Sequence, residues 1–116
     1  MVEYKVIFHI DEINKWKLLL GNVSNLLKGM NNEKLNIEVL ANSEAVKYYD
    51  TNQDLNVEIN TMESLNEKGI KFVACNNALM AYDIKKDSII HFVDIVPAGV
   101  VELVRKQSEG YAYIKP

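Results

Sequence analysis

The sequence has few of the residues that form disulfides, bind metals or contact nucleic acid. It contains one cysteine and two histidines among 116 residues. One cysteine cannot form an internal disulfide, and the paired Cys and His spacing of a structural metal site is missing. The net charge is −3, without the basic stripe that a nucleic-acid binder carries. We therefore expect no metal, no cofactor and no nucleic-acid partner.

Long hydrophobic runs are missing as well. No apolar stretch approaches the roughly 20 residues that cross a bilayer. The first residues include Glu3 and Lys5 rather than the basic and then apolar order of a signal peptide. We expect a cytoplasmic protein that does not enter the membrane. An apolar content of 48% in 116 residues is enough for a core, so we expect one domain over residues 1–116.

Apolar and β-prone stretches alternate with helical patterns along the whole chain. Strands are predicted at 4–10, 36–40, 70–75, 91–96 and 111–114. An amphipathic helix is predicted over 13–30, where apolar residues recur at three and four positions. Shorter helices follow the second, third and fourth strands, and a further helix with Met62 and Leu65 precedes the third. Residues 50–60 are polar, and the alternation of Leu55, Val57 and Ile59 would fit either a short edge strand or a loop; we interpret the segment as a loop.

Capping residues set the expected helix limits. Asp11, Asn42, Ser43 and Thr61 are predicted helix N-caps, because their side chains can accept a bond from a free backbone amide. Gly69 is expected to end a helix in the left-handed conformation. The last helix is expected to begin at Pro97 and to be closed by Gly110. Its apolar face comprises Val100, Val101, Leu103 and Val104.

Strand and helix alternation with almost continuously apolar strands favours a parallel sheet covered on both faces. The predicted fold class is therefore α/β, as a three-layer α/β/α sandwich. The sheet is expected to be mostly parallel, with about five strands.

The strand at 70–75 ends at the only cysteine, Cys75, and a helix follows at once. In open α/β sheets, ligands bind at the carboxyl ends of the strands, and the positive end of a helix favours a reactive thiolate. Cys75 is therefore the candidate catalytic residue. The alternative is that Cys75 is an inert small hydrophobic residue in the core.

Other candidates for this edge each have two interpretations. Asn76 and Asn77 can orient a ligand or a persulfide, or can cap the helix. His9 can act as an acid, a base or an anion partner, or can be a partly buried, hydrogen-bonded side chain. Gly99 can offer free helix amides to an anion, or can be required for close helix packing. His91 is expected at the opposite edge and is assigned no chemistry.

Two runs carry a family resemblance. Residues 72–79 (FVACNNAL) and 96–116 (VPAGVVELVRKQSEGYAYIKP) resemble uncharacterised small members of the DsrE/DsrF-like family. Residues 6–10 and 36–39 are similar too, so the resemblance covers almost the whole chain. It implies a YchN-like or DsrEFH-like domain with the DsrE-like, flavodoxin-like arrangement. It also implies assembly as a homotrimer, a hexamer or a larger stack.

In the sulfur-trafficking branch of that family, a cysteine carries a persulfide and passes sulfur between proteins. The resemblance places this role on Cys75, which would make the chain at most a sulfur-transferase component with donor and acceptor proteins as partners. The alternative is a non-catalytic homo-oligomeric module that binds a small anion or nucleotide at the carboxyl edge of the sheet. Self-association is also expected from the aromatic final strand.

Overall fold

A computed structural model describes residues 2–52 and 58–116. Its centre is a parallel sheet of five strands in the order β4-β3-β2-β1-β5. The strands are β1 (Glu3–Ile10), β2 (Lys34–Ala41), β3 (Lys71–Cys75), β4 (Asp94–Val96) and β5 (Ala112–Ile114). The predicted fold class, an α/β sandwich on a parallel sheet of about five strands, is confirmed.

Within the described residues, four α-helices connect these strands: α1 (Trp16–Gly29), α2 (Ile59–Glu67), α3 (Asn76–Ala81) and α4 (Gly99–Ser108). Short 3-10 helices lie at Ile13–Lys15, Ser43–Tyr49 and Lys86–Ser88. The helix expected over 13–30 is therefore a 3-10 turn that continues into α1. Gly69 and Gly110 follow α2 and α4 with φ values of +98° and +95°, the left-handed conformation that glycine adopts without strain.

The two faces of the sheet are covered unequally. Phe8, Val39 and Phe72 point to one face, where they pack with α1, α2, α3 and the 3-10 helix at Ser43–Tyr49. Ile7, Leu40 and Val73 point to the other face, against Leu103 of α4. This division follows from the strand order. Each of β2, β3 and β4 is added on the same side of the preceding strand, whereas the connection from β4 to β5 crosses back over the sheet to the other side of β1. Right-handed crossovers then place α4 alone on the second face.

The side chain of Trp16 anchors the larger face. It is 1% exposed and stacks on Tyr48 with ring centroids 4.8 Å apart, while Tyr49 meets its edge at 5.2 Å. Its indole Nε1 donates a hydrogen bond to the Ala45 carbonyl oxygen at 2.9 Å. A buried tryptophan normally finds such an acceptor, so its core position agrees with the apolar stripe of the helix.

The fourth strand is shorter than predicted. The prediction was residues 91–96, but only Asp94–Val96 pair with β3. The preceding segment bonds elsewhere, since Ile90 N–H donates to the Tyr49 carbonyl oxygen at 3.0 Å and a turn follows in which Val93 N–H donates to Ile90. The chain reaches the sheet only after this turn, so His91 lies outside the strand.

The predicted helix starts were shifted by one to three residues. Helix α4 begins at Gly99, and Pro97 lies before it, because extended residues first carry the chain away from the end of β4. Helix α2 begins at Ile59, so Thr61 is inside its first turn. The start is fixed by Glu58, whose N–H donates to the Tyr48 hydroxyl at 2.9 Å.

Side-chain capping was the wrong expectation at the other starts as well. The residue before the 3-10 turn at Ile13–Lys15 is Glu12 rather than Asp11, and Asn42 before Ser43–Tyr49 makes no side-chain cap bond. Asp11 instead forms an ion pair with Lys115 at 3.4 Å. Within the predicted loop at 50–60, positions 53–57 lie outside the described residues and the last two positions begin α2.

Candidate functional site

The direction of the chain changes at the carboxyl edge of the sheet between β3 and β4. The chain leaves β3 for α3 on the larger face, and it leaves β4 for α4 on the other face. Open α/β sheets bind ligands at such a point, because the diverging connections leave a crevice between them. Cys75 is the last residue of β3 and pairs in register with Val96 of β4, so the predicted cysteine lies at this point.

The sulfur of Cys75 accepts a hydrogen bond from the backbone N–H of Gly99 at 3.2 Å. Gly99 is the first residue of α4, so its N–H has no acceptor within the helix. The side chain of Cys75 is 6% exposed, and the residue is a free thiol. The thiol is therefore held against the amino end of a ten-residue helix on the opposite face of the sheet.

The absence of a side chain at Gly99 permits this contact. A Cβ atom at this position would lie 3.3 Å from Cys75 Cβ and 3.3 Å from Asn42 Cβ. These distances are tighter than ordinary van der Waals contact, so the neighbouring side chains would have to move. The geometry thus agrees with close packing at Gly99, and its N–H is donated to the thiol; binding of an anion by this helix end stays a prediction.

His9 lies at the same edge, as predicted from its place near the end of β1. It is partly buried and hydrogen-bonded on both ring nitrogens, with Nδ1 2.6 Å from the Tyr113 hydroxyl oxygen and Nε2 2.9 Å from Asn42 Oδ1. Sequence reasoning missed Tyr113 as a site residue and considered Asn42 only as a helix cap. Their positions in the sequence could have indicated them, since Asn42 directly follows β2 and Tyr113 lies in the last strand.

Helix capping does not account for the two asparagines after Cys75. Cys75 itself is the N-cap of α3, and no side-chain cap bond is formed there. Asn76 Nδ2 instead donates to Met80 Sδ at 3.4 Å along the same helix. Asn77 is exposed. The structure therefore brings Cys75, Gly99, Asn42, His9 and Tyr113 together, while the described residues show no side-chain hydrogen bond from Asn76 or Asn77 to this group.

A second polar group lies beneath α4, away from the thiol. Glu38 of β2 is 2% exposed, and its Oε2 has no hydrogen-bond partner among the described residues. Lys106 Nζ lies 3.9 Å from Glu38 Oε1. Burial first, and then the hydrogen bond and the charge of Glu102, raise the pKa of Glu38 from 4.5 to about 8, although Lys106 and Lys71 act in the opposite direction. The folded protein therefore holds this carboxyl mainly protonated at neutral pH.

Two surface cavities differ in their relation to this edge. A cleft of about 220 Å³ runs beside the start of α4 and is lined by Val96, Pro97, Ala98, Val101, Glu102 and Arg105. A wider cavity of about 750 Å³ lies at the opposite edge, between the end of α1 and the start of β2. Size alone would favour the wider cavity, but the cleft is the one that adjoins the strand paired with Cys75.

The described residues contain no group of three or more His, Cys, Asp or Glu side chains placed to hold a metal ion. In the same part of the chain, no helix combines the length and apolar character needed to cross a membrane.

Comparison with solved structures identifies several relatives of the same fold. The protein of unknown function MTH1491 from Methanobacterium thermoautotrophicum is 36% identical, with a TM-score of 0.86 over 97% of this chain and 99% of that chain. The ychN protein from E. coli is 17% identical, with a TM-score of 0.76 over 99% and 100% of the two chains. BT1422 from Bacteroides thetaiotaomicron, a conserved protein of unknown function, is 17% identical, with a TM-score of 0.73 over 97% and 94%.

No curated protein matches the chain. The sequence model of the DsrE/DsrF-like family matches residues 19–116, a span that contains Cys75 and the complete α4. Together with the sequence identity to MTH1491 over nearly the full length of both chains, this match shows that the protein is a member of the DsrE/DsrF-like family.

Proposed function

We propose that the protein is a sulfur carrier in which Cys75 accepts a sulfane sulfur from one protein and passes it to another. The observation that carries this proposal is the Gly99 N–H donating to Cys75 Sγ at 3.2 Å, at the carboxyl edge of the sheet between β3 and β4. A donor at this distance stabilises negative charge on sulfur, and thiolate is the form that attacks a sulfane sulfur. Membership of the DsrE/DsrF-like family makes sulfur transfer a reasonable chemistry for this thiol.

The reaction requires no redox partner. The Cys75 thiolate attacks the outer sulfur of a donor persulfide, a new S–S bond forms, and the donor's S–S bond breaks to release the donor thiolate. In the second step an acceptor thiolate attacks the outer sulfur on Cys75, and Cys75 departs as the thiolate. The proton on the terminal sulfur moves with that sulfur, so each step exchanges one S–S bond for another. Gly99 N–H stabilises the Cys75 thiolate before the first step and after the second.

The surroundings of the thiol fit a carrier. Since Cys75 is only 6% exposed, water and small oxidants have limited access to a sulfur held there. The cleft along Val96, Ala98 and Val101 adjoins this edge and is mainly apolar at its walls. We propose this cleft as the approach route for the cysteine-bearing loop of a donor or acceptor protein.

A non-catalytic module that binds a small anion or a nucleotide is not favoured. The polar side chains that would have to face such a ligand, His9 and Tyr113, are already hydrogen-bonded within the edge. Helix α3 after Cys75 has only six residues, so its amino end contributes little charge for an anion.

The protein is proposed to work in the cytoplasm as a homo-oligomer, either a trimer or a hexamer. A reducing compartment keeps a lone cysteine in the thiol form that a carrier needs. Oligomerisation is supported by exposed apolar side chains on α4, where Val100 and Val104 are 64% and 65% exposed.

Mass spectrometry of the intact protein tests the carrier proposal. The protein is purified without reductant, incubated with sodium polysulfide, and compared with Cys75→Ser treated in the same way. We expect additions of about 32 Da per sulfur in the wild type, removable by dithiothreitol and missing in the variant. Circular dichroism of Cys75→Ser shows whether the fold is retained. An unmodified wild-type thiol after polysulfide treatment would exclude the carrier function.

A further inference from the structure

Three polar side chains from three different strand ends form a continuous hydrogen-bonded chain. Tyr113 lies on β5, His9 on β1, and Asn42 directly after β2. The Tyr113 hydroxyl oxygen is 2.6 Å from His9 Nδ1, and Asn42 Oδ1 is 2.9 Å from His9 Nε2. The parallel arrangement of β5, β1 and β2 makes this contact possible, because their carboxyl ends lie side by side.

The chemistry of these groups gives the chain a direction. An amide oxygen can only accept, so His9 Nε2 must carry the proton that is donated to Asn42 Oδ1. In the neutral imidazole, Nδ1 is then an acceptor, and the Tyr113 hydroxyl donates to it. The order of donation is therefore Tyr113 to His9 to Asn42. Each donor fixes the tautomer or the orientation of the next group.

The last member of this hydrogen-bonded series, Asn42, lies beside Gly99 and Cys75. Because Asn42 Oδ1 faces His9, the amide nitrogen faces away from it, and Nδ2 lies 3.5 Å from the point where a Gly99 Cβ would stand. Cys75 Cβ lies 3.3 Å from that same point. Within residues 2–52 and 58–116, Asn42 Nδ2 donates to no acceptor, and Gly99 N–H is the donor to Cys75 Sγ, so the Asn42 N–H groups are available to a further sulfur atom carried on Cys75.

We propose that Tyr113 and His9 are positioning residues that hold the Asn42 amide toward Cys75, and that Asn42 is a second N–H donor to the sulfur beside Gly99. The inference rests on the proposed function only in taking Cys75 as the reacting group. A terminal sulfur lies about 2 Å beyond Sγ, and the Gly99 amide is already bonded to Sγ, so a second donor is needed for the two sulfur atoms together. In this proposal Asn42 is that donor, and the hydrogen bond from Tyr113 to His9 keeps the Asn42 amide in place.

The first experiment introduces a negative charge at position 42 and measures the reactivity of Cys75. Asn42→Asp keeps the side-chain volume and the acceptor for His9, but replaces the N–H donors with a carboxylate oxygen. We expect the rate of iodoacetamide labelling of Cys75 at pH 7 to fall by about tenfold or more, because a neighbouring N–H donor is replaced by a carboxylate that repels the thiolate. Asn25→Asp, on the exposed side of α1, makes the same charge change and is expected to label at the wild-type rate.

Tyr113→Phe tests the positioning role separately. Tyr4→Phe is its control, since the two tyrosines are 41% and 40% exposed and Tyr4 is at the opposite end of β1. Nitrogen NMR of the His9 ring should show the proton on Nε2 in the wild type. The Nδ1 resonance should move in Tyr113→Phe, the labelling rate should fall severalfold, and Tyr4→Phe should change neither.

Sulfur loading tests the carrier function, whereas the His9 tautomer and the labelling rates test the positioning by Tyr113, His9 and Asn42. If polysulfide leaves the wild-type thiol unmodified, the carrier function fails, while the ring tautomer and the labelling rates still decide the positioning chain. A proton on His9 Nδ1 in the wild type, or wild-type labelling rates in both Asn42→Asp and Tyr113→Phe, would overturn the positioning chain even if sulfur loading succeeds.

Discussion

Glu38 is buried where a charge is costly, so its ionisation should be visible in the stability of the whole protein. Its pKa is raised from 4.5 to about 8 by burial and by Glu102, with Lys106 and Lys71 opposing. Between these two values the folded state binds more protons than the unfolded state, so this contribution to stability is fully present below pH 4.5 and is lost as pH rises through 8.

Glu38→Gln should remove this pH dependence, since glutamine resembles the protonated carboxyl in shape and cannot ionise. We expect the difference in unfolding free energy between variant and wild type to move in favour of the variant from pH 5 to pH 9. Urea denaturation at several pH values measures it. Glu63→Gln, on the exposed face of α2, is the control and should follow the wild type. A constant difference across the range would show that Glu38 ionises normally in the folded protein.

Gly99 packs closely against its neighbours and also donates its N–H to Cys75 Sγ. The added methyl group of Gly99→Ala tests the importance of this contact. Gly99→Ala places a Cβ 3.3 Å from both Cys75 Cβ and Asn42 Cβ, which pushes α4 away from the thiol. We expect iodoacetamide labelling and sulfur loading of Cys75 to change severalfold, while the melting temperature shifts by only a few degrees. The matched control is Gly29→Ala, where a Cβ meets no atom within 4 Å. Equal behaviour of the two variants would argue against the Gly99 contact.

At the scale of elements, two glycines should respond to alanine in opposite directions. Gly21 lies inside α1 with open space around its Cα, so Gly21→Ala should stabilise the protein by about 0.5–1 kcal/mol. Gly69 ends α2 at φ +98°, which alanine tolerates poorly, so Gly69→Ala should destabilise it by about 1 kcal/mol or more. Thermal denaturation of both variants gives the comparison. Stabilisation by Gly69→Ala would contradict the assigned conformation.

Element types were predictable because their signals are local. The stripe of apolar residues over 13–30 favours a helix from the local spacing alone, and the α-helix was found over Trp16–Gly29 after a 3-10 turn. Element limits were less predictable where tertiary contacts compete with local preference. Thr61 is a good capping residue, but the Tyr48 hydroxyl bound to Glu58 N–H starts α2 earlier. Similarly, Ile90 bonds to Tyr49 and delays the entry of the chain into β4.

For the whole molecule, the exposed valines on α4 make self-association the expected state. Sedimentation equilibrium at micromolar concentration should give a multiple of the 13.2 kDa chain mass, with a trimer or hexamer as the proposed species. The variant Val100→Asp with Val104→Asp should shift the mass toward the monomer, because two carboxylates are placed on the apolar face.

The control for this experiment changes two exposed apolar residues elsewhere. Leu18 and Met80 are 50% and 68% exposed, so Leu18→Asp with Met80→Asp alters the net charge equally. This pair should leave the mass unchanged. A wild-type monomer would contradict the oligomer outright. Dissociation by the Leu18 and Met80 pair alone would place the contact on the other face of the sheet.

The sequence by itself determined the fold class, the parallel sheet and the position of Cys75 at a strand end, because hydrophobic periodicity and strand-helix alternation are properties of short segments. It also placed His9 at the same edge, since parallel strands share their carboxyl side. Only the tertiary structure decided that α4 crosses to the second face and brings Gly99 onto the thiol. The tertiary structure likewise decided the hydrogen bonds that join Tyr113, His9 and Asn42. These residues belong to strand ends that are distant in sequence and become neighbours only through the strand order β2-β1-β5.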